Sequence, residues 1–216
     1  MRAMFDRIAP RYELCNRLFT FGLDGMWREK ALDALGDIAG LRLLDLASGT
    51  GDLCRKAVDR HASPVGVDLS FGMLANSQGS HPRLQADAAS MPFADACFDA
   101  AISGFALRNF TDLSAVLSEV ARVLVPGAPI ALLEVSTPQG PLLSLGHRFW
   151  FNHAVPVLGA LLSDAGAYSY LPRSVAYLPS APELKALVCS AGFSSVRITK
   201  LSGGITQLIV GRRSAG

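Results

Sequence analysis

"LLDLASGTGDL", Leu43–Leu53, decides how this chain folds. It begins as a short apolar run, the mark of a buried strand. A glycine-rich turn follows, and then the start of a helix. Gly49 and Gly51 let the backbone approach a ligand closely. A dinucleotide fingerprint would need a third glycine where this chain has Cys54. An acid, Asp45, stands before the turn instead. The Asp-x-x-x-Gly-x-Gly spacing does not suit a pyrophosphate seated on a helix N-terminus.

The same rhythm continues outward from this stretch. "LRLLDLAS", "SPVGVDLS", "PRLQAD", "FDAAISGF" and "PIALLEVS" are five strand-like runs. Helical stretches lie between them at Leu53–Arg60, Phe71–Gln78 and Leu113–Val125, the last with Asp112 or Thr111 as its cap. A last helix, Glu183–Ala191, ends at Gly192, a natural stop. "SSVRITKL" and "ITQLIVGRR" then complete seven strands. Strand–helix alternation predicts an α/β fold, a mostly parallel seven-stranded sheet with helices on both faces. Before it, residues 1–37 read as a helical cap, with a second helix following Asp24. The expected organisation is a single domain over 1–216. A nucleotide-binding core at 38–139 is followed by an inserted substrate lid at 140–180 and a C-terminal helix with closing strands at 181–213.

Composition bounds the function classes. Half of the 216 residues are hydrophobic, 18% are charged, and 20 basic against 18 acidic residues leave a net charge of +2. There is no dense Lys/Arg run, so no nucleic-acid footprint. The mean hydropathy of +0.31 leaves apolar surface for a groove or a membrane-facing patch. Cys15, Cys54, Cys97 and Cys189 are far apart, with neither a CxxC pair nor a Cys/His cluster, so no metal site or disulfide framework is expected. The N-terminal "MRAMFDRIAPRYEL" carries charges and no apolar h-region, unlike a signal peptide. His147, Arg148, Asn152, His153 and Pro156 interrupt the apolar stretch Leu142–Leu162 and argue against a spanning helix.

The turn suits a cationic ligand. S-adenosylmethionine carries a sulfonium and an ammonium but no phosphate, and carboxylates with backbone carbonyls complement it. Asp68 closes the second strand, placed to accept two ribose hydroxyls. Asp87 closes the third and is followed by Ala88, where an adenine amino group can be received. Asp45, Gly49, Gly51, Asp68 and Asp87 form an ordered set across three successive strand ends. The set points to a methyltransferase-type nucleotide site, the class I Rossmann-like arrangement.

At these residues the chain resembles the ubiquinone/menaquinone biosynthesis C-methyltransferases. "MFDRIAPRYELCNRLFTFGLDGMWREKAL", "LLDLASGTGDL", "DAASMPFADACFDAAISGFALRNFTD", "RVLVPGAPIALLEVSTP", "YSYLPRSVAYLPSAPELKALVCSAGF" and "SGGITQLIVGR" are similar to that family's blocks, nearly end to end. Glu13, Cys15 and Asp24 stand where its N-terminal signature has Asp, Met and His. Val125 and Ala128 depart from its Lys-Pro-Gly-Gly, and Ala106 replaces a glycine. The resemblance implies methylation of a ring carbon of a prenylated quinol with S-adenosylmethionine as cofactor; demethylmenaquinol leads, and a benzoquinol of ubiquinone synthesis and a phytyl naphthoquinol fit the same description. It implies cofactor contacts at Thr50, Asp68, Asp87, Ala88 and Gly104, the last through its backbone because relatives often have Ser there.

Methyl transfer to carbon needs an in-line approach at about 3 to 3.5 Å, a nucleophilic carbon and exclusion of water. A quinol carbon becomes nucleophilic when its neighbouring hydroxyl loses or shares its proton. A cation beside that hydroxyl favours the phenolate. Arg108 is the candidate, and the resemblance implies that it acts catalytically through a water. A guanidinium keeps its proton throughout the working range, so Arg108 is not the proton acceptor. Asn109 and Tyr12 are candidates for hydrogen bonds to quinol oxygens. His153, Tyr168 and Tyr170 are candidate lid residues lining the substrate channel. An apolar lid suits a polyprenyl tail. The expectation is therefore a cytoplasmic protein in transient contact with the inner face of a membrane, its oligomeric state open and a homodimer compatible. Competing readings are an O- or N-methyltransferase of a soluble molecule, an NAD-dependent dehydrogenase, which the missing third glycine disfavours, and a non-catalytic S-adenosylmethionine-binding subunit.

Overall fold

The computed structural model describes residues 2–138, 140, 144–146, 149–150, 155, 174 and 177–215. The apolar run of the glycine-rich stretch is β1, Arg42–Leu46, with Leu43, Leu44 and Leu46 at most 1% exposed. It pairs in parallel with β2 (Ser63–Asp68) on one side and β4 (Ala100–Gly104) on the other. β3 (Arg83–Gln85) extends the sheet beyond β2, and β5 (Pro129–Val135) extends it beyond β4. β7 (Thr206–Arg213) inserts antiparallel between β5 and β6 (Phe193–Leu201). The order of the seven strands is β3-β2-β1-β4-β5-β7-β6. The progression therefore reverses between β1 and β4, and a crevice opens at the carboxyl ends of strands at such a point.

Side chains alternate across the sheet and serve two cores. Leu44, Leu46, Ile130 and Leu132 pack with α6 (Leu113–Val123) and α7 (Ala181–Ser190) through Val116, Leu117, Val120, Leu184 and Val188. Leu43, Ile102, Ala131 and Leu133 pack on the other face, against Trp27, Ala31 and Leu32 of α3 (Leu23–Asp33) and Leu53 and Ala57 of α4 (Asp52–Asp59). Each fully buried leucine contributes roughly 1.5–3 kcal/mol, so both faces need a helical cover. The Asp112 side chain caps α6 by accepting from the Ala115 N–H at 2.9 Å.

Several boundaries differ from the sequence expectation. α5 is only Phe71–Ala75. Beyond it, Ser77 turns to His81 and the Gln78 N–H bonds the Thr50 carbonyl, so both leave the helix. α7 starts at Ala181 because Ser180 and Glu183 form a reciprocal capping box. The N-terminal part is split into α1 (Arg2–Ile8), a 3-10 turn containing Pro10, and α2 (Tyr12–Phe19). Phe21 and Gly22 then take positive φ, and α3 begins before Asp24, which sits in its first turn. Ile8, Ala9, Cys15 and Phe19 bury themselves with Met73 of α5. Most of the expected lid lies outside the described residues. Trp150 is described, and its Nε1 donates to the Phe19 carbonyl at 3.1 Å.

Candidate active site

The loop after β1 is shaped by glycine. Gly51 has φ +82°, and a Cβ there would lie 2.4 Å from Ser77 Oγ and 2.9 Å from His81. Gly49 has φ +57° and faces Tyr12, whose ring comes within 4.0 Å of where a Gly49 Cβ would stand. The Gly49 N–H donates to Asp68 Oδ2 at 2.8 Å, and the Ser70 N–H donates to Asp68 Oδ1 at 2.8 Å. The acid at the end of β2 thus fixes the loop at the end of β1. Burial pushes the Asp68 carboxyl up.

A cavity opens at the switch point between β1 and β4. Gly49, Asp68, Asp87, Ala88 and Gly104 line it, as do Tyr12 and Asn109. Asp87 Oδ1 accepts the Ala89 N–H at 2.9 Å. A Cβ on Gly104 would meet Leu53 at 3.1 Å, so that position favours a residue without one. α1 contributes Arg2 and Phe5, and the Phe5 and Tyr12 rings meet edge-on with centroids 6.5 Å apart.

Asp45, Thr50 and Gly51 stand behind this wall and do not line it. Asp45 is 1% exposed. Its Oδ2 accepts from Cys54 Sγ at 3.2 Å, while Oδ1 has no partner. Burial raises the Asp45 carboxyl to about 7, against the lowering pull of the Cys54 hydrogen bond and the Arg28 charge. An orphaned carboxylate oxygen under a glycine turn suits a cationic group arriving above it. Among the described lining residues Arg2 is the only base, and three acids stand at or under the wall. This donor set fits a ribose and a cationic chain better than a phosphate.

Asn109 and Arg108 part company. They share the 3-10 turn Leu107–Asn109, yet Asn109 lines the cavity and Arg108 does not. The Arg108 guanidinium is paired with Glu134 of β5; their side chains are 7% and 0% exposed. Its Nη1 also donates to the Phe105 carbonyl at 2.9 Å, and its Nε to Ser174 Oγ at 3.1 Å. The Arg108 backbone N–H donates to the second Glu134 oxygen at 3.1 Å. Glu134 therefore clamps both the charge and the turn. Its signal in the sequence is that of a lone acid in the apolar run "PIALLEVS". Asp6 on α1 carried no sequence signal. It accepts from Ser70 Oγ at 2.6 Å and from the Gly72 N–H at 2.8 Å.

Asp24, standing where the resembled signature has a histidine, is 6% exposed and pairs with Arg28. Arg28 also reaches Asp52 at 3.5 Å and lies over the Phe105 ring. His153, Tyr168 and Tyr170 lie outside the described residues. Among the described residues no cluster of side chains could hold a metal ion, and no helix is long and apolar enough to cross a membrane.

A model of the ubiE/COQ5 methyltransferase family matches residues 1–213. A demethylmenaquinone methyltransferase of Thermus thermophilus is 43% identical, covering 97% of this chain and all of its own length. A ubiquinone/menaquinone biosynthesis C-methyltransferase of Syntrophotalea carbinolica is 42% identical over 99% of this chain and 94% of its own. In three dimensions the chain superposes on an S-adenosylmethionine-dependent methyltransferase of Thermotoga maritima with a TM-score of 0.71, at 21% identity, covering 99% and 100% of the two chains. A Haloferax volcanii methyltransferase solved with the Trm112 activator gives the same TM-score at 18% identity, covering 98% of each chain. The fold is that of the class I, Rossmann-like methyltransferases.

Proposed function

The chain belongs to the ubiE/COQ5 methyltransferase family, and from that premise we propose that it methylates a ring carbon of a prenylated quinol, demethylmenaquinol foremost. The cofactor is S-adenosylmethionine, which supplies an electrophilic methyl group when bound. The observation that carries the reading is the gathering of Gly49, Asp68, Asp87 and Gly104 with Tyr12 and Asn109 around one cavity in a chain matched by that family over residues 1–213.

Asp68 takes the ribose hydroxyls in this reading, and Asp87 with Ala88 takes the adenine edge. Asp45 and the backbone from Gly49 through Gly51 complement the cationic methionine portion. Thr50 is 4% exposed, and its carbonyl accepts Arg55 Nη1 at 2.8 Å; its part is to stiffen the turn. Tyr12 and Asn109 hydrogen-bond quinol oxygens and orient the ring. Arg108 acts at the edge of the site. Glu134, Phe105 and Ser174 anchor it through Nη1 and Nε, and among the described residues Nη2 has no hydrogen-bond partner. Nη2 is the donor left for a quinol oxygen or a water bound to one. Because Glu134 balances its charge, Arg108 contributes a directed donor rather than a bare cation.

The polyprenyl tail places the substrate in a bilayer, and we propose a reversible membrane contact. Support comes from Leu14, Leu18 and Phe21, exposed on one side of α2 and just beyond it, with the exposed Arg17 among them. Failure to co-sediment with anionic, quinone-bearing vesicles would remove that contact.

The main test incubates the protein with methyl-labelled S-adenosylmethionine and chemically reduced demethylmenaquinone. Label on a ring carbon is the expected result. Label on oxygen, or turnover only with soluble O- or N-acceptors, would overturn the reading.

A further inference from the structure

We propose that Asp6 is a positioning residue for cofactor binding: its carboxylate latches α1 over the cavity and, through Ser70, steadies Asp68. This rests on the reading of the cavity as the S-adenosylmethionine site.

α1 has seven residues, too few to hold a helical form in isolation, and only its last residue, Ile8, is buried. Yet Arg2 and Phe5 of α1 line the cavity, and the chain leads directly from it to Tyr12. Something must dock this short helix. The hydrophobic part of the answer is Ile8 and Ala9 against Met73. The polar part is Asp6. One oxygen, Oδ1, accepts from the Ser70 hydroxyl at 2.6 Å and from the Gly72 N–H at 2.8 Å. The fit is close enough to specify its partner. A Cβ on Gly72 would stand 2.7 Å from Asp6 Cα and 2.9 Å from the Asp6 carbonyl oxygen. Gly72 has no positive φ to justify a glycine; the backbone of α1 does.

Ser70 joins this latch to the cofactor acid. Its hydroxyl gives its proton to Asp6 and accepts the Met73 N–H at 3.1 Å, while its own N–H donates to Asp68 Oδ1. Asp68 Oδ2 in turn holds the Gly49 N–H. A continuous chain of hydrogen bonds runs Asp6–Ser70–Asp68–Gly49, from the cap to the glycine turn. Loss of the first link frees one wall of the cavity and loosens the side chain that is to meet the ribose.

The test uses the full chain. It measures the dissociation rate of S-adenosylhomocysteine, and amide hydrogen exchange along the chain with and without that ligand. In Asp6→Asn, whose amide oxygen still accepts but carries no charge, the expected dissociation is about tenfold faster, the scale of the charge assistance lost from the two bonds. Exchange rises over residues 2–19 with or without ligand, and the exchange of β1 and β4 stays unchanged. Gly72→Ala gives the same pattern from the opposite partner. Ser70→Ala adds little to Asp6→Asn, because the two act in one chain. Dissociation unchanged in Asp6→Asn would overturn the proposal. So would exchange raised evenly over the whole sheet, which marks a merely structural role. If the unaltered chain failed to bind S-adenosylhomocysteine, the cofactor reading would fall and take the positioning role with it. Exchange at residues 2–19 would still show whether Asp6 docks α1.

Discussion

Glu134 and Arg108 form a buried ion pair behind the turn that carries Asn109, and the same carboxylate also receives the Arg108 backbone N–H. Breaking a buried pair leaves an uncompensated charge and costs about 3–5 kcal/mol. Glu134→Ala is therefore expected to lower unfolding free energy in urea by that amount, and Arg108→Ala to do nearly the same. Replacing both residues, with Arg108→Met and Glu134→Leu together, is expected to restore most of the stability. Methyl transfer should stay lost in the double variant while cofactor affinity is largely kept. Recovery of turnover along with stability would show that Arg108 has no part in the reaction.

Asp45 makes stability and cofactor affinity depend on pH in opposite directions. Its folded-state pKa of about 7 lies above the ordinary 3.8, with burial the main cause. Between these values the folded chain holds a proton that the unfolded chain has lost. This contribution to stability is complete below about pH 4, falls as pH rises through 7, and is then constant, a change of up to about 4 kcal/mol. A cationic cofactor favours the carboxylate, so affinity should rise with pH by up to about tenfold per unit below 7. The difference between unaltered protein and Asp45→Asn, in melting temperature and in Kd for S-adenosylmethionine across pH 5–8, isolates both slopes. No difference would mean that Asp45 is ionised throughout.

Thiol reactivity should follow burial. Cys15 and Cys54 are fully buried, Cys97 is half-buried and Cys189 is exposed. Burial and the adjacent Asp45 push the Cys54 thiol far above its usual range. Brief native alkylation should label Cys189 first and leave Cys54 unmodified until the chain is denatured. Peptide mass spectrometry reads the order directly.

Gly51→Ala should damage the loop more than Gly40→Ala. Both glycines have positive φ, +82° and +75°, so each substitution carries a backbone cost of about 1 kcal/mol. At Gly40 nothing lies within 4 Å of the new methyl, whereas at Gly51 it meets Ser77 and His81. The expected difference is a further 1–3 kcal/mol, on the scale of overpacking, and a loss of cofactor binding in Gly51→Ala alone. Paired urea titrations and cofactor titrations measure it.

The sheet was legible because its strands are short apolar runs separated by glycine and acid. That pattern records burial on both faces directly. The positions of Asp68 and Asp87 along the cavity were legible because a parallel sheet fixes where a strand end points, whereas Asp45, one residue short of the end of β1, lies beneath the wall. The fate of Arg108 could not be read. Adjacent residues in a 3-10 turn point in different directions, and only the packing of β4 beside β5 brings Glu134 within reach. Asp6 was hidden for a related reason: 64 positions separate it from Ser70, and no periodicity spans that distance. The short α5 was overrun because Ser77 and Gln78 find partners outside the helix, which helix propensity alone does not anticipate.

Cys54 has one more consequence. In dinucleotide-binding folds the third glycine sits on the helix and lets it settle close against the sheet. Here the helix bears a sulfur, and the strand supplies the missing side chain: a Cβ on Gly66 of β2 would lie 3.3 Å from Cys54 Sγ and 2.8 Å from Ser48 Oγ. The close approach is thus solved from the opposite side. Gly66 and Cys54 form an interlocked pair. Filling Gly66 alone collides, and emptying Cys54 alone leaves a void and removes the Sγ donor from Asp45. A side chain at position 66 would require both Ser48 and Cys54 to give way, so this hidden contact ties β2 to the cofactor loop and to the helix that follows it.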